Sequence, residues 1–310
     1  MSKIGIISNA KSKKNRKHPE IIEGLRYVSG KNAIIKETSD IEELYDAAKE
    51  FKEKDIDILA INGGDGTVHV TLSAFINVYK EKPLPKIAIL RAGTMNTIAT
   101  SLNIYGRPED ILLNIVKKHN ANTPFITTKR NLLKINEKQY GFIYGSGVIY
   151  NFLKIYYQNE DPSPAIAAKL VAKSVIDGLM NRNSPLFQKI EVEIEENGIK
   201  WRNKRFLAVG AMTIREIGLG FVVAPRALED PDKFQFFAIK SGVLGVIKSF
   251  PNMLLFRNGL LKNAVEDKIL NSVTLTAKKS PIPYTIDGEM YDPVHKLKIE
   301  KGPAITLILR

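Results

Sequence analysis

The amino-acid sequence predicts two domains: an N-terminal α/β domain with a parallel sheet over residues 1–122, and a mainly antiparallel β domain over residues 123–310. Three observations lead to this fold class. The chain of 310 residues is long enough for two domains, each with its own core. Up to residue 122, short apolar segments alternate with segments of helical spacing, which is typical of a parallel sheet with crossover helices. After that point, strand-like segments follow one another through tight turns.

The first domain is predicted to contain strands at 3–8, 33–37, 57–62 and 86–90, and helices at 19–28, 39–51, 67–79 and 96–104. The helix after residue 38 has a capping signal at Ser39 or Asp40. In the second domain, Asn197-Gly198 predicts a hairpin because both residues tolerate positive φ. Helices are predicted at about 164–182 and 243–256, and the chain ends in strand-like segments at 272–277, 283–290, 295–300 and 304–309.

The composition restricts the classes of partner and site. There is no cysteine, which excludes disulfides, thiolate metal sites and a cysteine nucleophile. The formal net charge of +13 favours an anionic partner, although a generally lysine-rich surface explains it equally well. No basic stripe interleaved with aromatic residues indicates a nucleic-acid surface. The first residues lack the pattern of a signal peptide, and no window is apolar enough to span a membrane.

Two glycine turns follow predicted strands and precede predicted helices. They are "GGDGT" at 63–67 and "AGTMN" at 92–96, and both are expected at the carboxyl edge of the sheet, where α/β folds bind ligands. Backbone amides at such turns favour phosphate, and glycines let the ligand approach the chain. Asp65 has the wrong charge for touching phosphate, so we expect it to hold Mg²⁺ or to accept a proton from a hydroxyl. The alternative is a glycine turn with a capping aspartate.

Two further segments are candidates for the same site. The loop after the first strand, "SNAKSKK" at 8–14, offers lysines to phosphate or is a solvated basic loop. In "YTIDGEMYD" at 284–292, Asp287 and Glu289 would share one face if both lay in one strand. Read alone, that motif favours an ordinary Asp-Gly turn. The sequence contains neither the serine-hydrolase elbow nor the P-loop pattern.

The ordered set of motifs resembles the diacylglycerol kinase catalytic-domain family, which includes bacterial diacylglycerol kinases, sphingosine kinases and ceramide kinases. The resemblance covers almost the whole chain. It rests on "SNAKS" (8–12), "ETSD" (37–40), "GGDGT" (63–67), "GTMN" (93–96), "GSGVIYNF" (145–152), "APRALEDPDKFQFFAIKSG" (224–242) and "DGE" (287–289).

The resemblance implies a Rossmann-like N-terminal domain, a β-sandwich C-terminal domain, and ATP bound in a cleft between them. Asp65 would act through Mg²⁺ or the acceptor hydroxyl, Asp287 or Glu289 would be the general base, and Asp230 would hold a structural Mg²⁺. The implied nucleotide site comprises Asn9, Ala10, Lys11, Thr38, Gly63, Gly64, Asp65, Gly66, Thr67, Gly93, Thr94 and Asn96.

Four positions depart from the family pattern. Ala10 replaces the usual proline of the first loop, and Thr97 stands where bacterial diacylglycerol kinases usually have aspartate. Asn151 is an amide where sphingosine kinases have an acid, and Pro231 replaces a glycine after Asp230. These departures bear on the shape of the first loop, on a third acid at the site, on a sphingosine substrate and on the structural Mg²⁺ site.

The predicted function is therefore an ATP- and Mg²⁺-dependent lipid kinase that transfers the γ-phosphate to a lipid hydroxyl. The lipid would be diacylglycerol or a related glycerolipid or sphingolipid. The protein would be cytoplasmic and would meet its substrate peripherally at the anionic inner membrane face, without a nucleic-acid partner; a homodimer is compatible with this reading. The alternatives are an NAD kinase-like phosphotransferase, which shares the glycine turn, and a non-catalytic lipid- or nucleotide-binding protein on the same fold.

Overall fold

A computed structural model describes residues 3–159, 161–180 and 184–309, and the side chains of all of these except Asn32 and Leu179. The chain divides into two compact units. The first unit comprises the residues up to Arg130, Lys138–Tyr140 and the residues from Ala304 onward; the second comprises Asn131–Glu137 and Gly141–Pro303. This division differs from the predicted single boundary after residue 122, because the chain returns twice to the first unit.

The first unit is a parallel sheet with helices on both faces. Its sheet order is β2-β1-β3-β4, and the neighbouring strands pair in parallel. The strands are β1 Ile4–Asn9, β2 Ala33–Thr38, β3 Ile58–Asn62 and β4 Lys86–Ile89. The helices are α1 Lys13–Lys17, α2 Glu20–Ser29, α3 Ile41–Glu53, α4 Asp65–Tyr79, α5 Thr97–Ser101 and α6 Pro108–Asn120, with a short 3-10 turn at Gly30–Asn32.

The alternation of side chains along β1 explains why both faces of this sheet are covered. Ile4 and Ile6 are fully buried in a cluster with residues of α2 and α6. Gly5 points to the opposite face, where a Cβ would come within 2.6 Å of the Phe51 ring of α3. Helix α3 begins at the predicted cap: Asp40 accepts the Glu43 N–H at 2.9 Å. Burial on both faces requires the near-continuous apolar runs seen in β1, β3 and β4.

The second unit contains two antiparallel sheets that share one core. Their orders are β10-β8-β14-β17 and β13-β12-β11-β7-β15-β16, with β9 beside β8 and β5 beside β17. The strands from β5 onward are β5 Thr127–Ile135, β6 Gln139–Gly141, β7 Ile143–Gly147, β8 Ile190–Glu196, β9 Ile199–Lys200, β10 Arg205–Phe206, β11 Ala208–Met212, β12 Phe234–Ile239, β13 Val265–Leu270, β14 Ser272–Ala277, β15 Ile282–Ile286, β16 Glu289–Val294 and β17 Lys296–Ile308.

One buried cluster takes side chains from both sheets of the second unit, including Phe234 and Phe236 of β12, Leu275 of β14 and Leu297 of β17. This is the packing of a β-sandwich, as predicted. The helical elements are α7 Val148–Tyr157, α8 Pro164–Met180 and α9 Val243–Leu254, with 3-10 turns at Pro185–Phe187 and Gly218–Gly220. Within the described ranges, no helix combines the length and apolarity needed to cross a bilayer.

Several element boundaries differ from the sequence prediction for local reasons. The basic segment after Ser12 forms the short helix α1 instead of a loop, and residues 148–152 of the motif quoted at 145–152 lie in the first half of α7. The helix predicted at 96–104 is shorter, α5 at Thr97–Ser101: Asn96 before it has a left-handed φ of 49°, and Asn103 after it has a left-handed φ of 55°. The two predicted last strands are one strand, β17. Helix α8 covers the predicted segment to Met180, and residues 181–182 lie outside the described residues.

A polar stripe along α4 holds the returning segment Lys138–Tyr140 of the first unit. The Ser73 hydroxyl and Nδ1 of His69 both bond the Tyr140 carbonyl, at 3.3 and 2.7 Å. The Tyr140 N–H donates to the Ser73 hydroxyl at 2.9 Å, and the Asn77 amide donates to the Lys138 carbonyl at 3.0 Å. These three side chains are four residues apart, so they share one helix face.

The buried imidazole on this stripe predicts a dependence of stability on pH. Burial lowers the pKa of His69 to about 4, and the bond to Tyr140 only partly opposes this. Since the unfolded chain takes up the proton at higher pH than the folded chain, the contribution of His69 to stability is complete above about pH 6.5 and is lost as the pH falls towards 4. The loss is roughly 3 kcal/mol at most.

The measurement is the free energy of unfolding by urea at several pH values. His69→Gln should reduce the dependence on pH between about 6.5 and 4, whereas the exposed His295→Gln should leave it unchanged. Equal slopes for wild type and His69→Gln would contradict this assignment.

Candidate functional site

The two glycine turns of the first unit meet, and Asp65 joins them. The Asp65 carboxylate accepts the Thr97 N–H at 2.8 Å and the Ile98 N–H at 3.0 Å. Asp65 is the first residue of α4, and the two donors lie in the first turn of α5. The carboxylate therefore caps the N-terminus of a different helix from its own. The sequence alternative of a capping aspartate is correct in kind, but the capped helix lies more than thirty residues further along the chain.

The backbones of the two turns are in direct contact. A Cβ on Gly93 would lie 2.2 Å from the Gly64 Cα, and the Ala92 N–H donates to the Gly63 carbonyl at 3.0 Å. Asn96 fixes the second turn, because its side-chain amide accepts the Gly93 N–H at 3.0 Å and donates to the Gly93 carbonyl at 2.8 Å. A side chain on either Gly64 or Gly93 would enter this contact, so glycine at these two positions has a steric cause.

The environment of Asp65 raises the pKa of its carboxyl. Burial is the largest cause; the N–H groups of Ile98 and Thr97, the Thr97 side chain and the charge of Arg91 oppose it. The Thr97 hydroxyl therefore interacts with the carboxylate at the position where many relatives have a second acid. The first turn of α5 contains no acidic residue, so it places no second carboxylate beside Asp65.

The loop after β1 reaches the same edge of the sheet. The Asn9 amide donates to the Thr67 hydroxyl at 2.9 Å, and its oxygen accepts the Lys11 N–H at 2.8 Å. The Ala10 N–H donates to the carbonyl of the buried Thr38 at 3.2 Å. These contacts bring together the ends of β1 and β2 and the first turn of α4, as the resemblance implies.

A buried polar network under this loop was not predicted. The Asn62 amide donates to the Ser8 hydroxyl at 2.9 Å and to the Asn15 side-chain oxygen at 3.1 Å. The Asn15 amide donates in turn to the Asn9 carbonyl at 2.8 Å. The sequence contains one sign of this network, because Asn9 and Asn62 end the largely apolar strands β1 and β3. Its partners could not be read without the fold.

Two cations lie beside the glycine turns: Lys14 belongs to the segment 8–14 whose lysines were predicted to meet phosphate or solvent, whereas Arg91 was not predicted. The Lys14 ammonium donates to the Arg91 carbonyl at 3.3 Å. Burial and the charge of Arg91 lower the pKa of Lys14, while Glu109 raises it. Arg91 has a left-handed φ of 59°, and its guanidinium lies over the Tyr105 ring at 5.1 Å. Both residues flank the turns predicted to meet phosphate.

The first unit fits a nucleotide phosphate. The amides of the first turn of α4 have no intrahelical acceptor, as at any helix start, and no side chain caps them. They are therefore available to a phosphate beside Gly64 and Gly66. The half-buried Thr94 lies on the neighbouring turn. Each Asp65 oxygen accepts one backbone N–H, and the Thr97 side chain interacts with the same carboxylate. Since a carboxylate has about four lone-pair sites, Asp65 could still supply one ligand to a Mg²⁺ that is otherwise held by phosphate and water.

In the second unit, Asp287 and Glu289 do not lie in one strand, so they do not share a strand face; the motif forms the Asp-Gly turn that it favours when read alone. Asp287 and Gly288 have φ values of 48° and 89° and form the two-residue turn between β15 and β16. The buried Asp287 carboxylate accepts the Phe142 N–H at 3.1 and 3.0 Å and the Ile143 N–H at 2.8 Å. Glu289 begins β16 and is an exposed residue. The protein around its carboxyl reduces the hydration of the charged form and so raises the pKa of this group.

The remaining candidate residues of the second unit make local contacts. Asp230 forms an ion pair with Lys233 at 3.0 Å and accepts the Asp232 N–H at 2.9 Å. Over the residues that the structure describes, no group of three His, Asp or Glu side chains is placed to hold a metal. Asn151 donates to the carbonyls of Pro185 and Leu186 at 3.3 and 3.2 Å, so its amide serves the fold.

Comparison with protein families confirms the resemblance. Residues 3–127 match the model of the diacylglycerol kinase catalytic domain. The matched segment contains both glycine turns and the loop after β1, and it ends before Asp287. A comparison with curated proteins finds no significant match.

Solved structures of the same fold cover nearly the whole chain. A diacylglycerol kinase from Bacillus anthracis str. Sterne is 17% identical, with a TM-score of 0.67 over 99% of this chain and 96% of its own. Two structures of candidate diacylglycerol kinases from the same organism are 18% identical, with TM-scores of 0.71 and 0.69 over 99% of this chain and 96% and 97% of theirs. At this identity the likeness shows the fold, and it extends through the second unit.

The contact between the two glycine turns can be tested by adding one methyl group. Gly93→Ala should force the turns apart, lower the free energy of unfolding by about 1–3 kcal/mol and weaken ATP binding by about tenfold or more. Thermal unfolding and titration calorimetry with ATP measure the two effects. Gly242→Ala is the control, because a Cβ there meets no atom within 4 Å. Normal stability and ATP affinity in Gly93→Ala would refute the close approach.

Proposed function

We propose that this protein is a lipid kinase that uses ATP and Mg²⁺ to phosphorylate the hydroxyl of diacylglycerol or a related lipid. One observation carries the proposal: the Asp65 carboxylate joins two glycine turns beside the uncapped N-terminus of α4. An acid next to backbone amides that can donate to phosphate is an arrangement that suits phosphoryl transfer. The family match over residues 3–127 supports the same class of reaction.

ATP phosphates would be bound by the backbone of the two turns and by nearby cations. Gly64 and Gly93 let the phosphates approach the chain, and the first-turn amides of α4 donate to them. Lys14 and Arg91 supply positive charge close to the same turns. Asn9, held between Thr67 and Lys11, fixes the first loop.

Mg²⁺ would be held by Asp65 together with phosphate oxygens. When bound, Mg²⁺ neutralises the charge that develops on the transferred phosphate. The two N–H donors on Asp65 fix its carboxylate in position before any ligand binds, which limits the reorganisation that binding requires.

For the base that accepts the proton of the lipid hydroxyl, we favour Glu289 over Asp287. Three backbone hydrogen bonds hold the Asp287 carboxylate in the turn, which leaves it few lone pairs for a substrate. Glu289 has an exposed side chain with a raised pKa, which suits a carboxylate that must take up a proton. Asp287 would then position the turn that carries Glu289.

The function is tested with purified protein, labelled ATP and Mg²⁺ against mixed micelles of single lipids. Diacylglycerol, monoacylglycerol, phosphatidylglycerol, sphingosine and ceramide cover the substrates that the family resemblance suggests, and NAD tests the rival phosphotransferase. We expect one class of lipid to be labelled. Labelling of NAD instead of lipid would replace the proposal with the rival, and labelling of nothing would favour a binding protein.

Asp65→Asn should remove phosphoryl transfer while leaving the protein folded. An amide can still accept one N–H, but its NH₂ group then faces a second N–H donor, so we expect a stability loss of about 1–3 kcal/mol. Initial rates and thermal unfolding measure both effects. Asp57→Asn is the control. Asp57 also accepts a backbone N–H, from Lys3 at 2.7 Å, but it lies just before β3, whereas Asp65 follows that strand. Full turnover in Asp65→Asn would remove Asp65 from the mechanism.

A further inference from the structure

We propose that the C-terminal end of α9 docks this protein on an anionic bilayer surface. Leu254, Leu255 and Phe256, here named the α9 patch, end the helix and begin the following turn. Their side chains are 41%, 76% and 67% exposed, whereas the preceding Met253 is buried at 4%. The proposal rests on the proposed function in one respect: a lipid kinase must meet its substrate in a membrane.

The α9 patch differs from the other exposed apolar residues in being continuous. Elsewhere in the described ranges, large exposed apolar side chains do not occur at three successive positions. Scattered single residues such as Ile199 and Leu228 are ordinary on a soluble surface, but a continuous group indicates an interaction site.

Hydrogen bonds hold the patch in its exposed position. The N–H groups of Leu255 and Phe256 both donate to the Pro251 carbonyl, at 2.9 and 3.3 Å. Beyond the patch, the Asn258 N–H donates to the Asn252 carbonyl at 3.0 Å, and the Asn252 side chain donates to the Gly259 carbonyl at 2.8 Å. The backbone of the turn is thus fixed on both sides of the patch, so the segment that carries these side chains cannot move without breaking these bonds.

The sequence on either side of the patch is basic, which complements an anionic surface. Residues 240–264 contain Lys240, Lys248, Arg257 and Lys262 and no acidic residue. Glu216, from a neighbouring loop, pairs with Arg257 and leaves the lysines in excess. Apolar side chains flanked by lysines insert at the boundary of headgroups and acyl chains, while the lysines meet the lipid phosphates.

The same charge argues against a second copy of this chain as the occupant. In a symmetric dimer the same patch would face itself, so the lysines of one copy would approach those of the other. A bilayer that contains anionic lipid has no such penalty. We therefore assign the α9 patch to the membrane.

The test is co-sedimentation with vesicles of phosphatidylcholine, with and without phosphatidylglycerol, in the absence of nucleotide. Wild type should bind the anionic vesicles, and added salt should weaken binding. The double variant Leu255→Ser/Phe256→Ser should bind about tenfold more weakly or worse. Lys248→Ala/Lys262→Ala should lose part of the affinity and most of the salt dependence. Ile199→Ser/Leu228→Ser, at two exposed apolar residues outside the patch (70% and 45% exposed), is the control and should bind as wild type.

Three outcomes would overturn the inference: no vesicle binding by wild type, equal binding by the patch variant, or conversion of a wild-type dimer to a monomer by the patch substitutions in gel filtration. Phosphorylation of micellar lipid is measured on the same proteins. Activity without vesicle binding would refute the docking surface alone, and vesicle binding without phosphorylation would refute the kinase alone.

Discussion

The capping of α5 by Asp65 is the interaction on which the candidate nucleotide site depends. Asp65 lies in the first turn of α4, and its carboxylate accepts two N–H groups from the first turn of α5. The two glycine turns contact each other at Gly64 and Gly93. Burial of this charge costs free energy, and the two N–H donors offset the cost. The geometry of the glycine turns and the ionisation of Asp65 are therefore linked: a change to either turn alters the environment of the acid.

Thr97 has a role that an aspartate could not fill in the same way. Its N–H and its side chain both interact with Asp65. A carboxylate at this position would place a second negative charge beside a buried one and would raise the pKa of Asp65 further. The chain thus gives up one potential metal ligand and gains a donor that stabilises the ionised form of the acid that remains.

The sequence predicts those features that depend on local pattern. The parallel strands, the glycine turns at their ends and the Asn197-Gly198 hairpin follow from apolar runs and from residues that permit positive φ. The partners of Asp65, Asn62 and Asp287 could not be predicted, because each lies more than thirty residues away in the chain. For Asp287 and Glu289 the turn reading of the Asp-Gly pair is the one observed, and the alternative of a shared strand face does not hold because the pair makes the turn itself.

That turn also gives the two acids of one short motif different surroundings. Asp287 has a left-handed φ, and its carboxylate accepts the N–H groups of Phe142 and Ile143. These hydrogen bonds connect the turn to the start of β7. Glu289 comes one residue after the turn, where no backbone amide competes for it among the contacts of the described chain. A general base must be held in place by its neighbours and free at its own oxygens; if Glu289 is the base, as we propose, this arrangement meets both conditions.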